Sequence, residues 1–417
     1  MLVRTSGRNF LVLVLGLMMA CLGLAQVQGL RFARYTNRSG FYDNAIRDLA
    51  VSGSSVWVAS FYTVYKEGGD PFDVGGVSRF VPGQKATNFG ADQIGTVYVN
   101  TIAVDGRQVW LGTPTGIKIY DTSDKTWTTI REGLPKPDVW AIAFQGDSVF
   151  VGTGGGLVVL KRTGEVSRTY TTDDGLRSNN VRSIAVDGQE LWIATTNGVS
   201  NLDLVSGKMT SYGPEDGLAD EQVLTVALDG NDVWAGTIQG ASRLVRETGK
   251  WSPFPEDGEP SKAIVRDIVP TTEKVWLATS EGLAVLRKED GKVTWYNTGS
   301  GLPSKNLLCM AKNGLLWIGT DSGLVAVKAG ARIGILPIIA AVVAVAGIVG
   351  YVSWKRRRPT QAKAETEPER RRKPKAKAAP PDTICLGNPR RELCEKCTFN
   401  DLKGGRSYCT KHSKFCE

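Results

Sequence analysis

The chain has 417 residues, with 51 Lys/Arg against 42 Asp/Glu for a net charge of +9, 7 cysteines and a single histidine. That length exceeds one ordinary core and suits a repeat array with tails. The histidine is His412, near the C-terminus, so everything before it lacks His-based catalysis and His metal ligation.

Arg4 and Arg8 precede an apolar run from Phe10 to Leu24, which is followed by Ala25 and Gln26. This layout predicts a secretory signal peptide over 1–25, cleaved after Ala25. A lipoprotein reading with Cys21 as the acylated residue stays open, although Met18 and Met19 fit poorly ahead of that cysteine.

From residue 30 to 330 the chain repeats itself. Aligning on the aromatic of a Val-Trp-x-Gly-Thr-like stretch gives Trp57, Trp110, Phe150, Trp192, Trp234, Trp276 and Trp317, spaced 53, 40, 42, 42, 42 and 41 residues apart. In the copy starting at Gly175, "VRSIAV" alternates, "DG" is a hairpin turn, and "ELWIAT", "VSNLDL" and "KMTSY" follow as further strands. Apolar spacing of three and four is absent, which excludes a helical solenoid. Four antiparallel strands per copy make one propeller blade, and seven anchors predict an all-β, seven-bladed β-propeller. The last copy enters a long apolar run before any fourth strand. "RFARYTNRSG" near the start supplies an orphan one, with Tyr35 five residues before Gly40 just as Tyr170 precedes Gly175. The N-terminal strand is therefore expected to complete blade 7 and leave no open edge.

"GLRSNNVRSIAVDGQELWIATTNGV", "GLPSKN…LLWIGTDSGL" and their siblings resemble two-component regulator propeller repeats over residues 30 to 330. The resemblance implies an extracytoplasmic sensor module of bacterial signalling proteins, frequently glycan-related. The chain departs from the common arrangement, because it has neither a histidine-kinase motif nor room for one in the 63 residues after the apolar run.

Within the propeller, a hydroxyl three residues after each anchor (Ser60, Thr113, Thr153, Thr195, Thr237, Thr279, Thr320) and a following glycine read as turn chemistry, since ligands rarely have sevenfold symmetry. Two features break the repeat. Blade 1 inserts "FYTVYKEGGDPFDVG" between Ser60 and Gly76, which brings Phe61, Tyr62, Tyr65 and Phe72 near Lys66, Asp70 and Asp73. Aromatics mixed with charge suit glycan stacking or a protein hot spot, while a decorative loop is the plain alternative. Near the start of the innermost strands stand Arg47, Asn100, Trp140, Arg182, Leu224, Arg266 and Leu308, with Asp48 and Asp267 next to two of the arginines. Either the arginines pair with aspartates and lock blades together, or they form an anion- or carbohydrate-binding rim with Trp140 as a stacking surface. Cys309 reads as a small buried thiol. No Gly-x-Ser-x-Gly elbow and no singled-out carboxylate pair point to an enzyme.

"IGILPIIAAVVAVAGIVGYVSW", residues 333–354, holds no charge and reaches about 30 Å as a helix, enough to span a bilayer. Lys355 to Arg358 follow it, so the positive-inside rule places the tail in the cytoplasm and the propeller outside the plasma membrane. Ala340, Ala344, Ala346 and Gly350 suit helix packing, hence a homodimer through the span. Residues 355–417 hold 18 Lys/Arg and 8 Asp/Glu, a net of +10, which leaves the rest close to neutral. Nucleic acid is thus not the partner expected of the large domain. Residues 355–380 are a basic linker of disordered composition. In 383–417, Cys394 and Cys397 form Cys-x-x-Cys, and Cys409 with His412 forms Cys-x-x-His, a set suited to tetrahedral Zn²⁺, with Cys385 and Cys416 as alternates. The tail resembles zinc-ribbon or treble-clef modules in general and is expected to contact a cytosolic protein. The sequence thus describes a single-pass membrane protein whose propeller binds an extracytoplasmic ligand, glycan or protein. A surface scaffold or adhesin without signalling, and a propeller lyase or glycan hydrolase, are the competing descriptions.

Overall fold

The computed structural model describes residues 30–64, 72–254 and 262–329, with three short strands further on. The chain forms two units, Met1–Ala344 and Val345–Glu417.

The first unit contains seven four-stranded antiparallel sheets. In blades 1 to 6 the four strands follow chain order. Blade 7 consists of Leu307–Asn313, Leu315–Thr320 and Gly323–Ala329, with Leu30–Tyr35 as its outermost strand. The ladder runs without a slip from Leu30 opposite Ala329 to Tyr35 opposite Leu324. The expected closure by the N-terminal strand is present. The innermost strands of successive blades touch one another all the way round, from blade 1 to blade 7 and back to blade 1.

The repeat unit explains itself through burial. Side chains on a strand alternate between its two faces, and every blade is covered on both, so second strands read as continuous apolar runs. Between blades 1 and 2, Trp57 packs on Val109, Leu111 and Tyr120. Val56 and Val58 point the other way, against Trp317 of blade 7. Seven such wedges, one at each blade interface, form the core. Burial of this kind contributes about 25 cal/mol per Å² of apolar surface, so a blade without neighbours would forfeit most of its stabilisation.

The recurring hydroxyl is turn chemistry. Thr195 Oγ1 donates to Gly198 O at 2.9 Å and accepts from Asn197 N at 3.2 Å. Thr113, Thr153, Thr237, Thr279 and Thr320 make the same pair of bonds. Gly198 has φ of 122°, and a Cβ there would lie 2.2 Å from Tyr212 O. In blade 1 the insertion replaces this turn, and the buried Ser60 hydroxyl has no partner among the described residues.

The insertion departs from the expected loop. The second and third strands of blade 1 run on past Ser60 opposite Gly76, pairing Phe61 with Gly75, Tyr62 with Val74, Thr63 with Asp73 and Val64 with Phe72. "FYTV" and "FDV" are aromatic and β-branched, so they continue the ladder as a two-stranded ribbon.

In the second unit, Phe399–Lys403, Arg406–Cys409 and Lys414–Cys416 form a three-stranded antiparallel sheet. Cys409 and Cys416 fall on its strands. Cys385, Cys394, Cys397 and His412 lie outside the described residues, as do the expected signal peptide, the 333–354 span and the basic linker. Among the described residues, no helix is long and apolar enough to cross a membrane.

Candidate functional site: the mouth of the central channel

In six blades the register of the innermost strand slips by one residue near its start. The residues passed over are Arg47, Trp140, Arg182, Leu224, Arg266 and Leu308. A bulge leaves its extra residue out of the ladder and re-aims the side chain, here at the rim where the sequence had singled out these positions. Blade 2 uses Asn100 instead. Its backbone N–H donates to Gly112 O at 2.8 Å and its side chain donates to Val139 O of blade 3 at 3.0 Å.

Blade 1 joins the rim to the ribbon. The Arg47 guanidinium lies over the Phe61 ring, 4.4 Å from its centroid. Phe61 meets Tyr98 edge-on at 5.0 Å, and the exposed Tyr98 donates its hydroxyl proton to the Asp73 carboxylate on the ribbon's other strand. Cationic, aromatic and acidic groups from three chain segments therefore converge at one point of the mouth. Tyr98 escaped the sequence reading because it belongs to the connection between blades 1 and 2, and only the ribbon's course brings Phe61 and Asp73 to it. Of the other proposed ribbon residues, Tyr62 and Phe72 are placed in the ladder by their backbones, while Tyr65 and Lys66 lie outside the described residues.

Blades 3 and 4 contribute a second cluster. Arg182 lies over Trp140 at 4.3 Å, and Trp140 Nε1 donates to Asp138 Oδ2 at 3.2 Å. Burial pushes the Arg182 guanidinium down from its usual range, with the Asp138 charge opposing the shift. A Cβ on Gly154 would come within 2.4 Å of Asp138 Oδ2, so glycine leaves the carboxylate its room. Arg266 of blade 6 is placed differently: Nη1 donates to Leu307 O of blade 7 at 3.3 Å.

The expected pairing of these arginines with aspartates is not what links the blades. Among the described residues, none of Arg47, Arg182 and Arg266 forms an ion pair within 4.0 Å. Asp48 instead accepts Ile102 N of blade 2 at 2.7 Å and Leu49 N at 2.8 Å. Asp267 likewise accepts Met310 N of blade 7 at 2.6 Å and Ile268 N at 2.8 Å. The inner strands have one unpaired edge, and these carboxylates satisfy backbone donors on it. Water reaches part of each side chain, yet protein crowds both from all sides. Burial pushes Asp48 up to about 6. Burial, assisted by the Asp48 charge, pushes Asp267 up to about 7. Cys309, buried and free, is raised by the same burial and by both carboxylates.

A family model described as "Two component regulator propeller" matches residues 175–197, about half of one repeat. No curated protein matches the chain. Among solved structures, the extracellular domain assigned to the hybrid two component system BT3049 of B. thetaiotaomicron is 18% identical over 71% of this chain and 40% of its own, with a TM-score of 0.60. The extracellular domain of BT4673 from the same organism is 15% identical over 74% of this chain and 43% of its own, at 0.59. The chain thus spans about two fifths of the length of these two domains. Virginiamycin B lyase from Staphylococcus aureus is 13% identical over 72% of this chain and 98% of its own, at 0.53. At such identities the likeness establishes the propeller fold, which serves extracellular domains of two component systems and an enzyme alike.

Proposed function

We propose that this protein is a membrane-anchored recognition module whose extracytoplasmic propeller binds a ligand at the channel mouth. The observation that carries the reading is the break in sevenfold symmetry at one rim. Phe61, Tyr98, Arg47 and Asp73 gather at blade 1, and the bulged Trp140 and Arg182 stack at blades 3 and 4. Structural needs common to all blades do not account for a ribbon carried by only one. Likeness in fold to extracellular domains of two component systems supports a sensing role.

On this reading residues 1–25 direct export, 333–354 span the plasma membrane, and the basic linker leads to a cytosolic tail. There Cys394, Cys397, Cys409 and His412, with Cys385 or Cys416 in reserve, hold Zn²⁺ and a protein partner docks. Ligand-dependent dimerisation through the span, or recruitment at the tail, would carry the signal.

The test replaces residues 61–75 by a two-residue turn in the full chain. Both proteins are screened in detergent micelles against cell-surface glycans and surface-protein extracts. Every wild-type hit should weaken while thermal stability holds; hits bound equally by both would remove the ribbon from function. Purified wild type should also carry about one zinc per chain, lost in C394S/C397S. Zinc-free wild type would end the tail assignment.

A further inference from the structure

The three rim arginines differ in exposure and in their partners. Arg266 already gives a hydrogen bond to Leu307 O across a blade interface, which makes it part of the wall. Arg47 is exposed and seats the ribbon root through Phe61. Arg182 is half-buried and stacked on Trp140, and it makes neither a hydrogen bond nor an ion pair with any described residue. A guanidinium on a ring face uses its π surface and leaves its N–H donors directed sideways in a fixed fork. No protein acceptor meets those donors and they still reach solvent, so an incoming anion would replace water there with charge-assisted hydrogen bonds. The surroundings hold it ready. Trp140 is itself pinned by Asp138, whose Oδ2 accepts the indole N–H while its charge also acts on Arg182, and Gly154 leaves that carboxylate its room.

Taking the mouth as a binding site, as argued above, we propose that its ligand presents a carboxylate to Arg182 and lays an adjoining flat or apolar portion against Trp140. Arg182 is the anion contact, Trp140 the platform, and Asp138 a positioning residue that fixes the indole. Arg266 has no direct part.

The test uses full-length protein in detergent micelles and calorimetric titration with benzoate, its neutral isostere benzamide, and acetate. Benzoate is expected to bind in the millimolar range, ahead of both others. R182Q should weaken benzoate by roughly 10- to 100-fold, the equivalent of one charge-assisted hydrogen-bonding group. R182K should recover only part of this, because lysine lacks the planar fork. W140L should abolish the preference for benzoate over acetate, and R266Q should leave the affinity within about twofold. Thermal melts of each variant report folding separately. Benzamide binding as well as benzoate, an R182Q variant binding like wild type, or no response to benzoate would each overturn the carboxylate assignment. Loss of binding on ribbon replacement, with R182Q silent, would retain the mouth as the site while rejecting Arg182 as its anion contact.

Discussion

Replacing Asp267 by asparagine tests the channel wall most directly. Its carboxyl is raised from an ordinary 3.8 to about 7, chiefly by burial. The folded protein therefore holds a proton that the unfolded chain has already released at intermediate pH. The resulting contribution to stability is fully present below about pH 4 and is lost as pH rises through about 7. A shift of about three units corresponds to about 4 kcal/mol across the whole window, or about 1.4 kcal/mol for each pH unit inside it. The substituted amide cannot ionise. It keeps one acceptor oxygen for the two backbone N–H groups of Ile268 and Met310, at a pH-independent cost of about 1–3 kcal/mol. D267N should thus be less stable than wild type near pH 4 and level with it or above it near pH 8. Urea denaturation midpoints at four pH values between these limits measure the difference. If the gap between the two proteins stays constant with pH, the buried-proton account of this position is wrong.

Asp48 is raised to about 6, so D48N should show the same sign with a smaller amplitude, about 3 kcal/mol, in the same titration series. Thr237→Val should cost about 1–3 kcal/mol in denaturation, because it deletes a buried hydroxyl that bonds Gly240 O and Gln239 N. Ser60→Ala, at the equivalent position of blade 1, should be neutral or stabilising, since that hydroxyl has no partner among the described residues. Gly198→Ala combines a φ of 122° with a backbone clash, and should lower the melting temperature by more than Thr237→Val. Deleting residues 30–35 strips blade 7 of its outer strand and of Phe32 and Tyr35. Size-exclusion chromatography should then report oligomers formed through the bare edge.

The blades were legible because their cause is local and repeated. Each Val-Trp-x-Gly-Thr-like stretch alternates faces within six residues, and in every blade but the first the turn carries its own threonine and glycine. Closure was legible too, since Leu30–Tyr35 has the spacing of a fourth strand with no blade of its own. The mouth was legible only in part. Arg47, Trp140 and Arg182 stood out by position, but the stacking of Arg182 on Trp140 depends on bulges in two blades, and register slips leave no mark in composition. Tyr98 was invisible because nothing near it in the chain announces Phe61 or Asp73. In sequence Asp48 and Asp267 invite pairing with the neighbouring arginines, the obvious charges. Their actual partners are edge amides, a demand that arises only once strands are arranged in a ring.

The pairing of Leu30 with Ala329 puts the chain's entry to the propeller and its exit side by side, at the same end of one ladder. Tension applied between those two points would load the hydrogen bonds one rung at a time, as a zipper is opened, and not all together in shear. A pull across the seam should therefore part the first strand at low force, long before any blade core yields. Single-molecule stretching with handles at these ends should show a small early release of a few residues ahead of the main rupture.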